Sequence, residues 1–439
     1  MATRADLAHL LRRATYGPTA EEVDVAEKAG FDATLAALLR PATADAGAAR
    51  TPAPAIAPDP YLALGNQPTR EARQKAQQQR RDQSRATVDW WLDRLVAADH
   101  QFAEKLVFFW HGHWATSVQK VNVAGLMLRQ QETFRRYGTG DFAVFAKAMV
   151  RDPALIIWLD GQRNTRGAPN ENLARELMEL FTLGVGNYTE DDVKAGAKAL
   201  TGWQVDRANS QAVFNPRRHE PGQFTILGAP TADADSFVDI LVRQPAHAVF
   251  LASRLWFRFA SGEPIPAATR DRLVGAYRAG RQVTALAQAL FTDPAFAGTT
   301  GHLVKQPVEW AVGGLRQLRI RPGALTDTER RQLLGGLDGL DQVPFRPPSV
   351  GGWPSGAAWL NTSSVQWRLR LAEFLAGKAS STVVDALGAS PAAGRVDALG
   401  RLLVVDAWTD RTRIALETAA GEPRRLIGLG LATPEYTVC

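Results

Sequence analysis

Two histidines one residue apart, His111 and His113 in "FFWHGHW", and two glutamates one helical turn apart, Glu176 and Glu179 in "NENLARELMELFTLGVG", are the side chains whose types and spacing could do chemistry. Imidazole nitrogens and carboxylate oxygens together suit Zn²⁺, Fe²⁺ or Mn²⁺. A divalent cation would also relieve the repulsion between carboxylates three residues apart on a helix. So held, it would lower the pKa of a bound water or polarise a substrate, leaving one acid free as a general base. In an extended segment, side chains two apart project to the same side, so both imidazoles could reach one ion. In a continuing helix they would diverge by about 200°. Gly112 between them favours the extended or kinked conformation. The competing reading is two histidines hydrogen-bonded within a tryptophan-rich core.

The glutamates carry the same ambiguity. On a helix over 170–183, Asn172, Glu176 and Glu179 share one face, and Leu173, Leu177, Leu180 and Phe181 form the core-facing stripe. Pro169 and the asparagines Asn170 and Asn172, which are poor in helix interiors, mark the start and place Glu171 near the positive end of the dipole. Arg175 is within one turn of Glu171 and of Glu179. It either neutralises a structural network or, with Asn170 and Asn172, orients groups around a ligand. With three protein ligands on a metal, Glu171 or His219 stands in reserve.

Two further stretches invite a role. His219 and Glu220 stand in the loop "RRHEPGQFTILG", where a histidine beside an acid can be a metal ligand, a general base or simply exposed. "FRPPSVGGWPSGAAWLN", within an ordered loop at 345–362, is stiffened by prolines and carries Trp353 and Trp359. These could wall a pocket for a sugar, a peptide or a partner surface, or cap a helical core.

The elements that must position these groups are mostly helices. Among 439 residues, 45% are hydrophobic, enough for a sizeable core. A net charge of +6 spread over the chain argues against nucleic-acid binding, which needs clustered charge. The one cysteine, Cys439, allows neither an internal disulfide nor a cysteine zinc site, and an exposed position is expected for it. Met1 to Gly17 does not read as an export signal and no run of about 18 apolar residues exists, so a soluble, cytoplasmic protein without a membrane span is expected.

Helical periods predict a mainly α protein: one large helical domain over 1–439, with a loop or arm at 41–68 and a long helix at 70–99. The first half of that helix, "REARQKAQQQRRDQSR", is polar all round and should face solvent or a partner. Further helices are expected at 101–110, 121–137, 141–151, 189–201, 245–261, 267–279, 282–292, 305–319, 326–335 and 363–376. Alternation with Asn, Pro and Gly turns predicts a small hairpin or irregular β insertion near 203–228.

Taken in order, "HLLRRATYGPT", "FWHGHW", "DPALIIWLDGQRNTRGAPNENLARELMELFTLGVGNYTEDDVKAGAKALTGW", "HEPGQFTILG" and "PPSVGGWPSGAAWLN" resemble the bacterial family catalogued as domain of unknown function 1800. The resemblance covers nearly the whole chain, from about residue 5 to 375 and on to the end. It implies a helical fold and a sulfatase-like or phosphatase-like protein as neighbour and natural partner. Many such proteins carry an export signal that this chain does not show. Glu220 and Phe224 stand where the family pattern leads one to expect Asp and Lys.

Three functions are therefore open. One is a metal-dependent enzyme, a hydrolase or oxygenase, with His111, His113, Glu176 and Glu179 as ligands. The second is a metal-free hydrolase using the glutamate pair on a glycan or peptide, with tryptophans stacking the substrate. The third is a non-enzymatic interaction or scaffold protein whose sulfatase-like partner docks on the polar half of the long helix or on the 347–360 loop.

Overall fold

A computed structural model of the chain describes residues 2–439. Side-chain caps start many of its helices: Thr3, Thr19, Thr69, Thr189 and Thr326 each accept a backbone N–H from the first turn. The result is mainly α, with only two small antiparallel two-stranded sheets among the described residues.

Those sheets form the small β insertion expected near 203–228, as two hairpins of which the second reaches Thr231. Strand β1 (Trp203–Asp206) pairs with β2 (Gln211–Phe214), and β3 (Phe224–Ile226) with β4 (Ala229–Thr231). The second turn uses Leu227 and Gly228 at φ 49° and 77°, the left-handed pair that a two-residue hairpin turn requires.

The long helix spans Arg70–Ala97. Its polar half is largely exposed, and the 41–68 segment is tied to part of it. Buried Asp59 takes a two-pronged hydrogen bond from Arg80, at 2.7 Å on each side, and the Arg80 guanidinium lies 3.6 Å over the Tyr61 ring. Trp90 donates to the Thr51 carbonyl at 2.9 Å. The arm contains two short turns, Ala46–Ala49 and Pro60–Ala63.

The second half of the long helix buries Val88, Trp91, Leu92 and Leu95 against a core whose buried side chains run from Leu10 to Tyr436. The helix Gln101–His113 runs through that core, flanked by Pro245–Phe259 and Pro307–Gln317. No helix is long and apolar enough to cross a membrane among the described residues. Cys439, expected to be exposed, is buried. Its backbone exchanges hydrogen bonds with Leu303, and Arg13 reaches its sulfur at 3.4 Å.

Candidate functional site

The helix that begins at Gln101 continues through His113, so the extended or kinked conformation expected for "HGH" does not occur. The aromatic residues around Gly112 supply enough packing to keep a helical glycine in place. His111 and His113 therefore leave the helix on different sides, and each finds its own buried partner.

His111 accepts the backbone N–H of Phe345 at Nε2, 3.0 Å away. A neutral ring that accepts there carries its proton on Nδ1. Trp91, Phe345 and Trp353 surround it with ring centroids 5.3, 5.5 and 5.3 Å away, and burial pushes its pKa down to about 3. His113 has the opposite tautomer: its Nε2–H donates to the Phe181 carbonyl at 3.0 Å. Burial, reinforced by the charge of Arg254, holds it well below the ordinary histidine range.

The "NENLAREL" segment is a short helix, Asn172–Glu176, that widens into a π turn over Leu177–Thr182, not the continuous α-helix expected over 170–183. A widened turn leaves carbonyls at its end without regular partners. Two buried imidazoles satisfy them: His113 bonds Phe181, and His247 Nδ1 donates to Thr182 at 3.0 Å while its Nε2 accepts from the Tyr277 hydroxyl at 2.7 Å. The two most distinctive stretches of the sequence do meet, but through an imidazole and a backbone carbonyl.

The carboxylates lie elsewhere on the same segment. Arg175 binds Glu190 at 2.6 and 2.7 Å and Glu171 at 3.1 Å, all near the surface. Glu179 accepts a 2.5 Å hydrogen bond from the Tyr188 hydroxyl. Glu176 is partly buried, and burial followed by the charge of Glu179 raises its pKa. Among the described residues, no group of three or more His, Cys, Asp or Glu side chains is placed to hold a metal. His111, His113, Glu176 and Glu179 are not brought together as one ligand set, and Nε2 of each histidine is already engaged with the backbone.

Asn170 and Asn172 organise the helix start. The Asn170 N–H bonds the Asn164 side chain at 2.9 Å, the Asn172 N–H bonds the Asn170 side chain at 3.1 Å, and the Asn172 amide reaches the Leu159 carbonyl at 3.3 Å. His219 ties loops together. Nδ1 lies 3.0 Å from the Thr201 carbonyl and Nε2 lies 3.0 Å from that of Ala232, while Glu220 accepts from the Gly167 N–H. Neither residue faces Glu176 or Glu179 through a hydrogen bond.

The tryptophan–proline–glycine loop sits on the "HGH" helix. Trp353 stacks on Phe108, with centroids 5.4 Å apart and planes at 10°. Phe345, at φ 66°, holds His111 through its N–H and Val118 through its carbonyl. Trp359 is buried, and its carbonyl accepts from Ser364 and Arg368.

Two clefts border this loop, and both are lined with arginine. The first takes Val343 and Arg346 from the loop region, Arg80, Arg81 and Arg85 from the long helix, and Arg331. The second takes Gly351, Trp353 and Ser355 from the loop, Phe108 and Gly112 beneath it, and Arg254 and Arg258 from the helix Pro245–Phe259. The sequence reading missed the pair Arg254 and Arg258. The signal was present in "FLASRLWFRFA", where two arginines four apart interrupt an otherwise apolar helix.

The model of a family described as "Protein of unknown function (DUF1800)" matches residues 9–438. No curated protein and no solved structure matches the chain.

Proposed function

The chain belongs to the DUF1800 family, whose description assigns no reaction, and we propose that it is an interaction protein that recognises an acidic segment of a partner protein at the cleft between the long helix and the helix Asp327–Gly339, closed by Val343 and Arg346. One observation carries this reading. Five arginines line that cleft, Arg80, Arg81, Arg85, Arg331 and Arg346, against the single carboxylate of Asp82. Asp59 engages Arg80, Asp89 engages Arg85 at 3.7 Å and Asp338 engages Arg346 at 3.6 Å, whereas Arg81 and Arg331 have no carboxylate partner among the described residues.

The modest net charge of the whole chain is thus concentrated locally, and a surface of this kind steers and selects a complementary acidic one. The sulfatase-like protein suggested by the family resemblance is the partner to try first. Co-expressed, the two should elute as one complex in size-exclusion chromatography. Arg81→Glu with Arg331→Glu should weaken the complex at least tenfold at low salt. Two independent peaks at low salt would end the proposal.

One observation favours a catalytic second reading. Glu176 is a partly buried carboxyl beside Glu179, with its pKa raised by burial, as a general acid for glycan or peptide hydrolysis would need. A Glu176→Gln variant that keeps full function would eliminate it. A metal-dependent version with Zn, Fe or Mn draws on the same glutamates together with His111 and His113. It would require His111 to release the Phe345 N–H, whereas His113 could offer Nδ1 and keep its Nε2–H on Phe181.

A further inference from the structure

The second cleft holds more positive charge than its surroundings balance. Arg254 and Arg258 are one turn apart on the helix Pro245–Phe259, so their side chains leave on the same face. Arg258 Nη1 donates to Glu309 at 3.0 Å, and Glu309 also accepts from Lys105 at 2.5 Å. Lys105, Arg258 and Glu309 are therefore one carboxylate short. Burial would raise the Glu309 pKa, but Lys105 and Arg258 outweigh it and hold the group at about 2, fully ionised and committed. Arg254 adds a third cation. Burial depresses its pKa, and no carboxylate offsets that penalty.

Hydrogen bonding has the same one-sided sense. Arg254 Nε, Arg258 Nη2 and Trp353 Nε1 are closed off from solvent and have no acceptor among the described residues. All three are donors with no acceptor capacity. Buried donors are ordinarily paired, and each exception asks for a cause such as an unseen partner. The side chains of Arg254, Arg258 and Trp353 line one cleft with Gln306, Gly351 and Ser355, and no acidic residue lines it. It offers about 100 Å³ of free space, room for a compact group but well below the few hundred Å³ of a drug-sized ligand site.

We propose that this cleft is a binding site for a small oxyanion, a carboxylate or a phosphate or sulfate group, held by the Arg254 and Arg258 guanidinium groups, with the unpaired Trp353 indole N–H turning in as the anion enters. The shared requirement is a compact negative charge with several acceptor oxygens, for which a guanidinium fork is the natural receptor. Phe108 and Trp353, stacked on one another, exclude water from one wall and strengthen the attraction. The site shares no residue with the cleft assigned above to an acidic partner and stands or falls independently of it.

The test is a thermal-unfolding and calorimetric titration of the full chain at constant ionic strength, replacing sodium chloride by sodium phosphate, sodium sulfate or sodium succinate. A saturable rise in melting temperature with at least one of the three, and one site per chain by calorimetry, is expected. Preference for phosphate and sulfate identifies an inorganic or phosphoryl ligand, and preference for succinate a carboxylate. Arg254→Gln should weaken binding at least tenfold. Trp353→Phe, which keeps the stacking on Phe108 but removes the indole N–H, should weaken it several-fold. Identical responses to all anions, chloride included, would overturn the site, and so would a folded Arg254→Gln protein that binds as the parent does. The measurement on the parent chain decides the matter even if a variant does not fold.

Discussion

Gly352 packs directly on Gly112, so that a Cβ built on Gly352 would overlap the Gly112 carbonyl oxygen. Gly352 also has φ 83°, a conformation that costs an L-residue about 1–2 kcal/mol. The "GGW" of the loop and the "HGH" of the helix are thus two halves of one contact, with Trp353 laid over the helix where Gly112 has no side chain. The relationship is asymmetric. A Cβ on Gly112 would come 3.8 Å from the Trp353 ring, an ordinary van der Waals distance.

Gly352→Ala should therefore destabilise the fold by about 2–4 kcal/mol, combining backbone strain with displacement of the loop. Gly112→Ala should be close to neutral, or stabilising by up to about 1 kcal/mol from helix propensity. Urea unfolding of the two variants checks the contrast. Equal losses would mean that the loop is not seated as described.

His111 supports the same loop from inside. His111→Ala would leave the Phe345 N–H without an acceptor and open a cavity among Trp91, Phe345 and Trp353. A loss of about 3–5 kcal/mol is expected. His111→Gln keeps an acceptor at similar reach and should recover part of it. If glutamine is as damaging as alanine, the hydrogen bond to Phe345 is not what the imidazole provides.

The same geometry bears on metal content. With His111 committed to Phe345 and His113 to Phe181, exhaustive treatment with a strong chelator should leave the melting temperature unchanged. Zn, Fe and Mn should be substoichiometric by elemental analysis. One equivalent of any of these, lost in His111→Ala or Glu176→Ala, would restore the metal-dependent reading.

Local patterns in the sequence carried the helices well: the long helix and the small β insertion lie close to where those patterns place them. What stayed hidden depends on partners distant in sequence. An i→i+4 stripe cannot reveal that the chain widens into a π turn after Glu176, because the insertion is stabilised from outside by His113 and His247, 68 and 65 residues away from the carbonyls they bond. Two histidines flanking a glycine look like ligands when only their spacing is visible. Their actual donor and acceptor, the Phe345 N–H and the Phe181 carbonyl, are backbone groups that carry no sequence signature. Cys439 was expected at the surface because it is the last residue, and it is buried through contacts with Arg13 and Leu303. The arginine-lined clefts are the reverse case: spread along the sequence, their charges look diffuse until the fold gathers them.

The buried histidines predict how stability depends on pH. Burial, aided at His9 by Arg13 and Arg12, holds His9 at about 4, His111 at about 3 and His247 at about 4, against 6.5 in an unfolded chain. Below pH 6.5 the unfolded chain binds protons that the folded protein refuses, so the stability these groups confer is complete above 6.5 and is lost as the pH falls towards 4. Asp152 acts in the opposite sense. Buried and raised to about 7 from 3.8, it disfavours folding as the pH rises through that window and so offsets roughly one histidine on acidification. At one pKa unit per 1.36 kcal/mol, a net loss of about 3–5 kcal/mol is expected between about pH 7 and about pH 4.5. Below about 4.5 the loss should continue, because Glu309, held at about 2, then begins to refuse protons that its unfolded counterpart accepts as His9 and His247 start to take theirs up. Urea midpoints across this range measure the slope, and His111→Gln isolates one contributor. That variant should be less stable than the parent at neutral pH yet lose less on acidification. A parent midpoint at pH 5 equal to that at pH 7.5 would show that the imidazoles are not held neutral in a dry core.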